Sequence, residues 1–162
     1  MSENAKDILQ VENLSMYFTT KKRGRKNTVR AVDDVSFTVR EGETFGLVGE
    51  SGCGKTTTGR TIIRLYNPTE GKIYFGGKEI SGPMTREKRQ YITDNIAMVF
   101  QDPIASLNPR MTVQEIIGEG LKVRGVSSVQ ERNRRTVEML QKVGLSPDHA
   151  TRYPHEFSGG QR

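Results

Sequence analysis

The first forty residues contain two stretches with the hydrophobic pattern of strands. Residues 9–18 form an opening stretch that ends in aromatic side chains, and residues 35–40 alternate strictly, with three apolar residues on one face. A period of two is typical of a half-buried strand. We therefore predict two strands that form a hairpin, joined by a loop over the basic segment 21–30.

Two shorter runs are apolar with little or no alternation. Residues 45–48 precede a glycine-rich segment, and residues 96–100 read IAMVF. A continuous apolar run of this length is typical of a strand covered on both faces. We predict a strand at each run. A further short hairpin is predicted over residues 72–80, around a Gly-Gly turn.

Three segments have the apolar spacing of helices, namely residues 55–65, 113–121 and 129–143. The first should stop at Asn67-Pro68. The other two begin at capping boxes, Thr112-x-x-Glu115 and Ser128-x-x-Glu131. Strands in the first part of the chain and helices in the rest predict an α/β fold with a helical portion at its end.

Charge is concentrated in one place. The formal net charge is +6, and six of the 25 basic residues lie within residues 21–30, where there is no acidic residue. Such a run can contact nucleic acid or anionic lipid, but it holds no aromatic side chain on which bases could stack. A solvated loop is the interpretation that we favour for this segment.

Length and composition narrow the protein class. The 162 residues suffice for one compact domain, and hydrophobic residues make up 33% of them. A single cysteine excludes an internal disulfide, and the charged N-terminus lacks the apolar core of a signal peptide. No run approaches the ~20 apolar residues that span a bilayer. We expect a cytosolic protein whose contact with a membrane comes only through partners.

The segment 44–60 (TFGLVGESGCGKTTTGR) carries the strongest chemical signal. Gly49, Gly54, Lys55 and Thr56 complete G-x-x-x-x-G-K-[ST], the P-loop pattern, in which backbone N–H groups curl around phosphate. The glycines allow that curl, and the helix that follows adds the positive end of its dipole. The motif predicts a nucleotide-binding site.

Reach and charge suggest roles within the loop. Lys55 is placed to bridge the β- and γ-phosphates, the Thr56 hydroxyl to bind Mg²⁺, and Thr57 to meet the α-phosphate. The amides that line the phosphates are expected between residues 51 and 57, which adds Ser51, Gly52 and Cys53 to the predicted site. The predicted ligand is a nucleotide together with Mg²⁺.

A second motif stands about a hundred residues downstream. Residues 157–161 (FSGGQ) closely resemble the signature motif of ATP-binding cassette (ABC) proteins, and residues 99–103 (VFQDP) resemble the Q-loop of that family. Residues 106–110 (SLNPR) and 153–156 (YPHE) resemble the peptide-importer ATPases of the oligopeptide and dipeptide permease type. The resemblance covers about residues 9–162 and implies a P-loop NTPase fold of the ABC type, with an N-terminal antiparallel β portion and an α-helical subdomain.

The resemblance implies roles for residues outside the P-loop. Gln101 would ligate Mg²⁺ and sense the γ-phosphate of ATP. The signature residues Ser158, Gly159, Gly160 and Gln161 would act in trans, on ATP held by a second subunit. His155 matches a feature of the peptide-importer branch, and we interpret it as structural.

Adenine stacks in this family on an aromatic side chain upstream of the P-loop. Counting five residues on from Asn13 selects Phe18, with Tyr17 as the neighbouring candidate. The alternative for each ring is a place in the hydrophobic core.

The resemblance also implies partners. They are ATP with Mg²⁺, a second ABC ATPase subunit, and membrane-spanning permease subunits that would hold the chain at the cytoplasmic face of the cell membrane. The function would be to couple ATP hydrolysis to peptide import. A soluble ABC protein that acts on nucleic acid or ribosomes is the alternative, but nucleic acid is not the expected partner.

Residues 1–102 are expected to form the ATP-binding core and residues 103–162 the helical subdomain. The family continues after the signature motif into a Walker B strand, whereas these residues end at Arg162. We therefore expect an incomplete core that binds phosphate or nucleotide without hydrolysing it, as a non-catalytic phosphate-binding module would.

Overall fold

The computed structural model describes residues 6–22, 24–102 and 106–162. Arg23 of the basic segment and Pro103 of the predicted Q-loop lie outside the described residues. The chain divides into two compact units, Met1–Met98 and Val99–Arg162. The assignment of functions to residues 1–102 and 103–162 stays a prediction.

The first unit is built on a four-stranded antiparallel sheet of order β2-β1-β3-β4. Strands β1 (Asp7–Lys22) and β2 (Arg25–Arg40) form a long hairpin, and β3 (Glu70–Phe75) pairs with β1. The short β4 (Lys78–Glu79) returns along β3. Both predicted hairpins are confirmed.

The loop predicted over the basic segment is wrong. Both strands continue through it, so that Lys21 lies opposite Lys26 and Lys22 opposite Arg25. Strand β3 pairs with β1 only up to Ser15. Beyond that point β1 and β2 form a two-stranded ribbon, because their alternating backbone hydrogen bonds do not require a third strand.

Helix α1 (Lys55–Ile62) ends earlier than predicted, before Asn67-Pro68 is reached. Arg64 adopts a left-handed conformation (φ 63°), and the Leu65 N–H donates to the carbonyl of Arg60 at 2.9 Å. This is a Schellman motif with arginine in the position where glycine is usual. The buried Arg64 guanidinium secures it by donating to the carbonyls of Ile80 and, at 2.8 Å, Gly82.

Helix α2 (Arg86–Asn95) was not predicted from the sequence. The Thr85 hydroxyl caps it by accepting from the Lys88 N–H at 3.1 Å. Its buried face joins a core cluster with the sheet, made of Val11, Leu14, Ile73, Ile80 and Ile92.

The strands predicted at residues 45–48 and 96–100 are wrong, since neither run forms a strand among the described residues. Val48 is 88% exposed and Val99 95% exposed. A strand covered on both faces exists only where neighbouring strands supply hydrogen bonds and cover. The apolar pattern is local and cannot supply such neighbours.

The second unit contains α3 (Val113–Val123) and α4 (Val129–Lys142), followed by two short 3-10 helices, Pro147–Thr151 and Pro154–Glu156. Both predicted helices are confirmed. Within the described residues, no helix is both long and apolar enough to cross a membrane.

Only one of the two predicted capping boxes is complete. At α3 the Thr112 and Glu115 side chains each accept from the other's backbone N–H. At α4 the Ser128 hydroxyl accepts from the Glu131 N–H, but the Glu131 carboxylate binds Arg134 and Arg135 instead of turning back. Those two guanidinium groups lower the pKa of Glu131 to about 2.

Replacement of Gly71 should reveal how closely the sheet is packed. Gly71 has φ 88°, and a Cβ there would lie 2.4 Å from the carbonyl oxygen of Asn13 in β1. Gly71→Ala should therefore lower the free energy of unfolding by about 2–4 kcal/mol, from the strained φ plus the displaced backbone.

The matched control is Gly42→Ala, because Gly42 has φ 77° but no heavy atom within 4 Å of its added Cβ. It should cost only about 1–2 kcal/mol. Urea unfolding followed by circular dichroism compares the two variants, and an equal loss in both would contradict the close approach of Gly71 to β1.

Candidate nucleotide site

The P-loop is braced from below by strand β2. Gly54 has φ 98°, and a Cβ at this position would lie 2.2 Å from the carbonyl oxygen of Ala31. No side chain larger than hydrogen fits between the loop and the strand. The loop is therefore packed directly against the hairpin at Gly54, the residue that precedes α1.

Cys53 contacts the preceding residues of the P-loop through its backbone N–H and its side chain. Its N–H donates to the Glu50 carbonyl at 3.3 Å, and its sulfur would lie 2.6 Å from a Cβ added to Gly49. A glycine at position 49 is thus required for the cysteine side chain to fold over it. Cys53, Ser51 and Gly52 are exposed, so the turn presents its outer surface to solvent.

Lys55 lies across the loop and is held by neutral acceptors. Its Nζ donates to the carbonyls of Gly49 at 2.7 Å and Glu50 at 2.6 Å, and to the Cys53 Sγ at 3.6 Å. In the described part of the chain no carboxylate forms an ion pair with it. Its full positive charge is therefore available to an anion.

The start of α1 adds a second attraction for anions. Among the described residues no side chain caps this helix, and its first turn holds no acidic residue. The first α-type bond is donated by the Thr58 N–H to the Gly54 carbonyl at 2.8 Å. The first-turn amides before it are the ones that a helix leaves without intrahelical partners, and they carry the positive end of its dipole.

Thr56 and Thr57 differ in accessibility. Thr56 is exposed on the first turn of α1, whereas Thr57 is half-buried and its carbonyl accepts from the Thr61 hydroxyl at 2.8 Å. An exposed hydroxyl next to the lysine fits the predicted Mg²⁺ ligand. An open, mainly apolar hollow of about 540 Å³ borders Lys55 and Thr56, with Phe37 and Phe45 stacked at 4.8 Å on its wall.

The two aromatic candidates for adenine have different surroundings. The Tyr17 hydroxyl donates to Asp33, and the Arg30 guanidinium lies 5.3 Å from the centre of the Tyr17 ring. The hydrogen bond from Tyr17, together with one from Arg30 at 3.2 Å, lowers the pKa of Asp33 below its usual value. Phe18 contacts Tyr66 only edge-on, with ring centres 5.3 Å apart, and stays half-buried.

The predicted signature residues form a hydrogen-bonded turn in the second unit. Phe157 is buried and packs edge-on against His149 at 5.3 Å, whereas Ser158, Gly159, Gly160 and Gln161 are exposed. The phenylalanine thus anchors the motif and directs the rest of it to solvent.

Ser158 and Gln161 cap that turn reciprocally. The Ser158 N–H donates to the Gln161 Oε1 at 3.1 Å, and the Gln161 N–H donates to the Ser158 Oγ at 3.4 Å. The Arg162 N–H donates to the Ser158 carbonyl at 3.2 Å, which closes the turn. Gln101 also belongs to the second unit and is exposed.

The predicted P-loop residues thus lie together in the first unit, and the predicted signature residues lie together in the second. Their roles, and those of Phe18 and Gln101, stay predictions. Sequence reasoning missed Ala31 under Gly54 and Tyr66 beside Phe18. No local pattern marks either of them, because both act through contacts between residues far apart in the chain.

Comparison with known proteins agrees with this arrangement. The sequence profile described as ABC transporter matches residues 32–162. The oligopeptide transport ATP-binding protein OppF of Bacillus subtilis is 52% identical over 156 residues, which are 96% of this chain and 50% of that protein. The dipeptide transport ATP-binding protein DppF of Lactococcus lactis is 49% identical over 160 residues, 97% of this chain and 50% of that protein. The chain thus spans about half the length of the curated relatives it matches.

The fold agrees as well. The solved ATP-binding cassette MJ0796, described as dimeric and in a post-hydrolysis state bound to ADP and Pi, matches with a TM-score of 0.79 and 29% identity. The match covers 94% of this chain and 64% of that one. With a P-loop built around an unpaired lysine, a signature-like turn and these matches, the chain belongs to the ABC transporter family of ATP-binding proteins.

Proposed function

We propose that the protein to which these residues belong is the ATP-binding subunit of a peptide importer. The observation that carries nucleotide binding is the Lys55 ammonium, held over the P-loop by carbonyl oxygens beside the uncapped start of α1. The peptide substrate class rests on the relatives, which are oligopeptide and dipeptide transport ATP-binding proteins.

Each P-loop group would act on a different part of the nucleotide. The amides of residues 51–57 surround the phosphates, and Lys55 would leave the Gly49 and Glu50 carbonyls to bridge the β- and γ-phosphates. Thr56 and Gln101 would hold Mg²⁺, which neutralises charge on the phosphate oxygens. Exchange of the two carbonyl oxygens for a polyanion favours binding because the ammonium then also gains a partner of opposite charge.

Assembly would complete the site. We propose a dimer in which the exposed turn at Ser158, Gly159 and Gly160 of one subunit caps the γ-phosphate held by the other, as the dimeric state of MJ0796 suggests. Permease subunits would place the dimer at the cytoplasmic face of the membrane, where ATP binding and hydrolysis drive import.

Loss of the lysine should weaken binding strongly. Lys55→Ala should raise the Kd for a fluorescent ATP analogue by about 10- to 150-fold, since a charge-assisted contact contributes about 1.5–3 kcal/mol. The matched control is Lys72→Ala, an exposed lysine on β3. Fluorescence titration compares both variants with the unchanged chain, and equal affinities for all three would refute the assignment.

The aromatic prediction separates base from phosphate. Phe18→Ala should weaken binding of ATP by about 5- to 150-fold, the range for a lost base stack, and leave binding of inorganic triphosphate unchanged. Tyr17→Phe should alter neither, because it removes the bond to Asp33 and keeps the ring. Calorimetric titration decides this, and the assignment fails if Phe18→Ala and the unchanged chain bind ATP equally.

Binding without turnover is the further proposal for these 162 residues. The groups that this site supplies, namely the Lys55 ammonium, the loop amides and the Thr56 hydroxyl, are hydrogen-bond donors and not general bases. Positioned general-base help typically contributes 10²–10⁴-fold to a rate. Phosphate release from ATP should therefore stay at the level of the Lys55→Ala variant, and turnover that depends on Lys55 would show that this chain supplies the base itself.

A further inference from the structure

The end of the β1–β2 ribbon is strongly basic, and its exposed residues Lys21, Arg25 and Lys26 are here called the ribbon tip. The strands are paired from Tyr17 opposite Arg30 to Lys22 opposite Arg25, which is six residue pairs. At about 3.3 Å per residue the ribbon reaches roughly 20 Å beyond the part of β1 that β3 covers. None of the residues predicted to bind nucleotide lies in the ribbon tip.

The register places like charges opposite each other. Lys21 lies opposite Lys26, whereas pairs of opposite charge are the ones that stabilise neighbouring strands. The nearest acidic residue after the tip, Asp33, already accepts from Tyr17 and from Arg30 at 3.2 Å. The repulsion at the tip is therefore not relieved by the described residues, and an external anion would relieve it.

The distribution of charge favours a flat anionic layer as the partner. Lys21, Arg25 and Lys26 are all exposed, and since Arg25 and Lys26 are successive in a strand they lie on opposite faces of the ribbon. A tip charged on both faces can enter a layer of phosphates from any angle. A nucleic-acid strand instead follows a groove charged along one side, with aromatic rings on which its bases stack.

The aromatic side chains nearest to the tip lie at the base of the ribbon, outside the tip. Tyr17 is held by Asp33 and Arg30, and Phe18 is the ring proposed above to stack on adenine. No ring lies within the tip itself. We propose that the ribbon tip binds the anionic headgroups of a phospholipid bilayer directly, in addition to any contact made through permease subunits. This choice of partner rests on the proposed function at a membrane surface, but it does not require nucleotide.

Vesicle binding tests the proposal. The chain is mixed with vesicles of phosphatidylcholine containing about 30% phosphatidylserine, or of phosphatidylcholine alone, and the bound fraction is measured by sedimentation. The chain should bind only the anionic vesicles, and raising the salt from about 0.1 M to about 0.5 M should release it. Failure to bind the anionic vesicles would overturn the proposal.

Two variants of equal charge locate the contact. Replacement of Lys21, Arg25 and Lys26 by serine takes the net charge from +6 to +3, since three positive charges are removed. Each basic residue near an anionic surface contributes about fivefold to binding, so about a hundredfold should be lost. The control replaces Lys72, Arg86 and Arg89, which are exposed in the same unit, and should change binding less than about threefold.

The comparison of the two triple variants shows whether the vesicles bind at the ribbon tip. Equal losses in the two variants would assign the binding to overall charge and overturn the role of the tip. Tighter binding to a single-stranded oligonucleotide than to anionic vesicles at the same salt would transfer the surface to nucleic acid. Lys55→Ala should keep full vesicle binding, so failure of nucleotide binding and failure of lipid binding are distinguishable. Unchanged circular dichroism of both triple variants shows that they remain folded.

Discussion

The site depends on the positive charge of Lys55, with which no carboxylate of the described residues forms an ion pair. Lys55 is tied to two carbonyl oxygens and a sulfur, and it lies at the start of a helix without a side-chain cap. None of these partners is a carboxylate, so a phosphate can replace them without the loss of an ion pair. An acidic residue in the first turn would weaken this attraction for anions.

The contact between the P-loop and strand β2 explains why glycine is required at position 54. Gly54 lies against the Ala31 carbonyl, and Ala31 belongs to the strand that continues into the ribbon. The hairpin therefore fixes the loop, carries Tyr17 and Phe18, and ends in the charged tip. A single pair of long strands thus connects the phosphate cradle, the candidate for adenine stacking and the proposed lipid contact.

Local patterns in the sequence predicted those features that local chemistry determines. The Thr112 capping box, the Gly-Gly hairpin and the P-loop pattern each depend on residues a few positions apart, and each is present in the structure. The strands at residues 45–48 and 96–100 failed because a buried strand is defined by its neighbours. The end of α1 at Arg64 failed for a related reason, since the carbonyls that hold that arginine come from residues 80 and 82.

Backbone N–H groups of the P-loop are the proposed ligands of phosphate, and hydrogen exchange at these amides is the most direct test of this binding. Exchange of residues 51–58 is measured by mass spectrometry with and without inorganic triphosphate. Exchange in this segment should become slower on addition of the ligand, and it should not become slower in Lys55→Ala. Protection that appears elsewhere in the chain while residues 51–58 exchange at an unchanged rate would contradict phosphate binding at these amides.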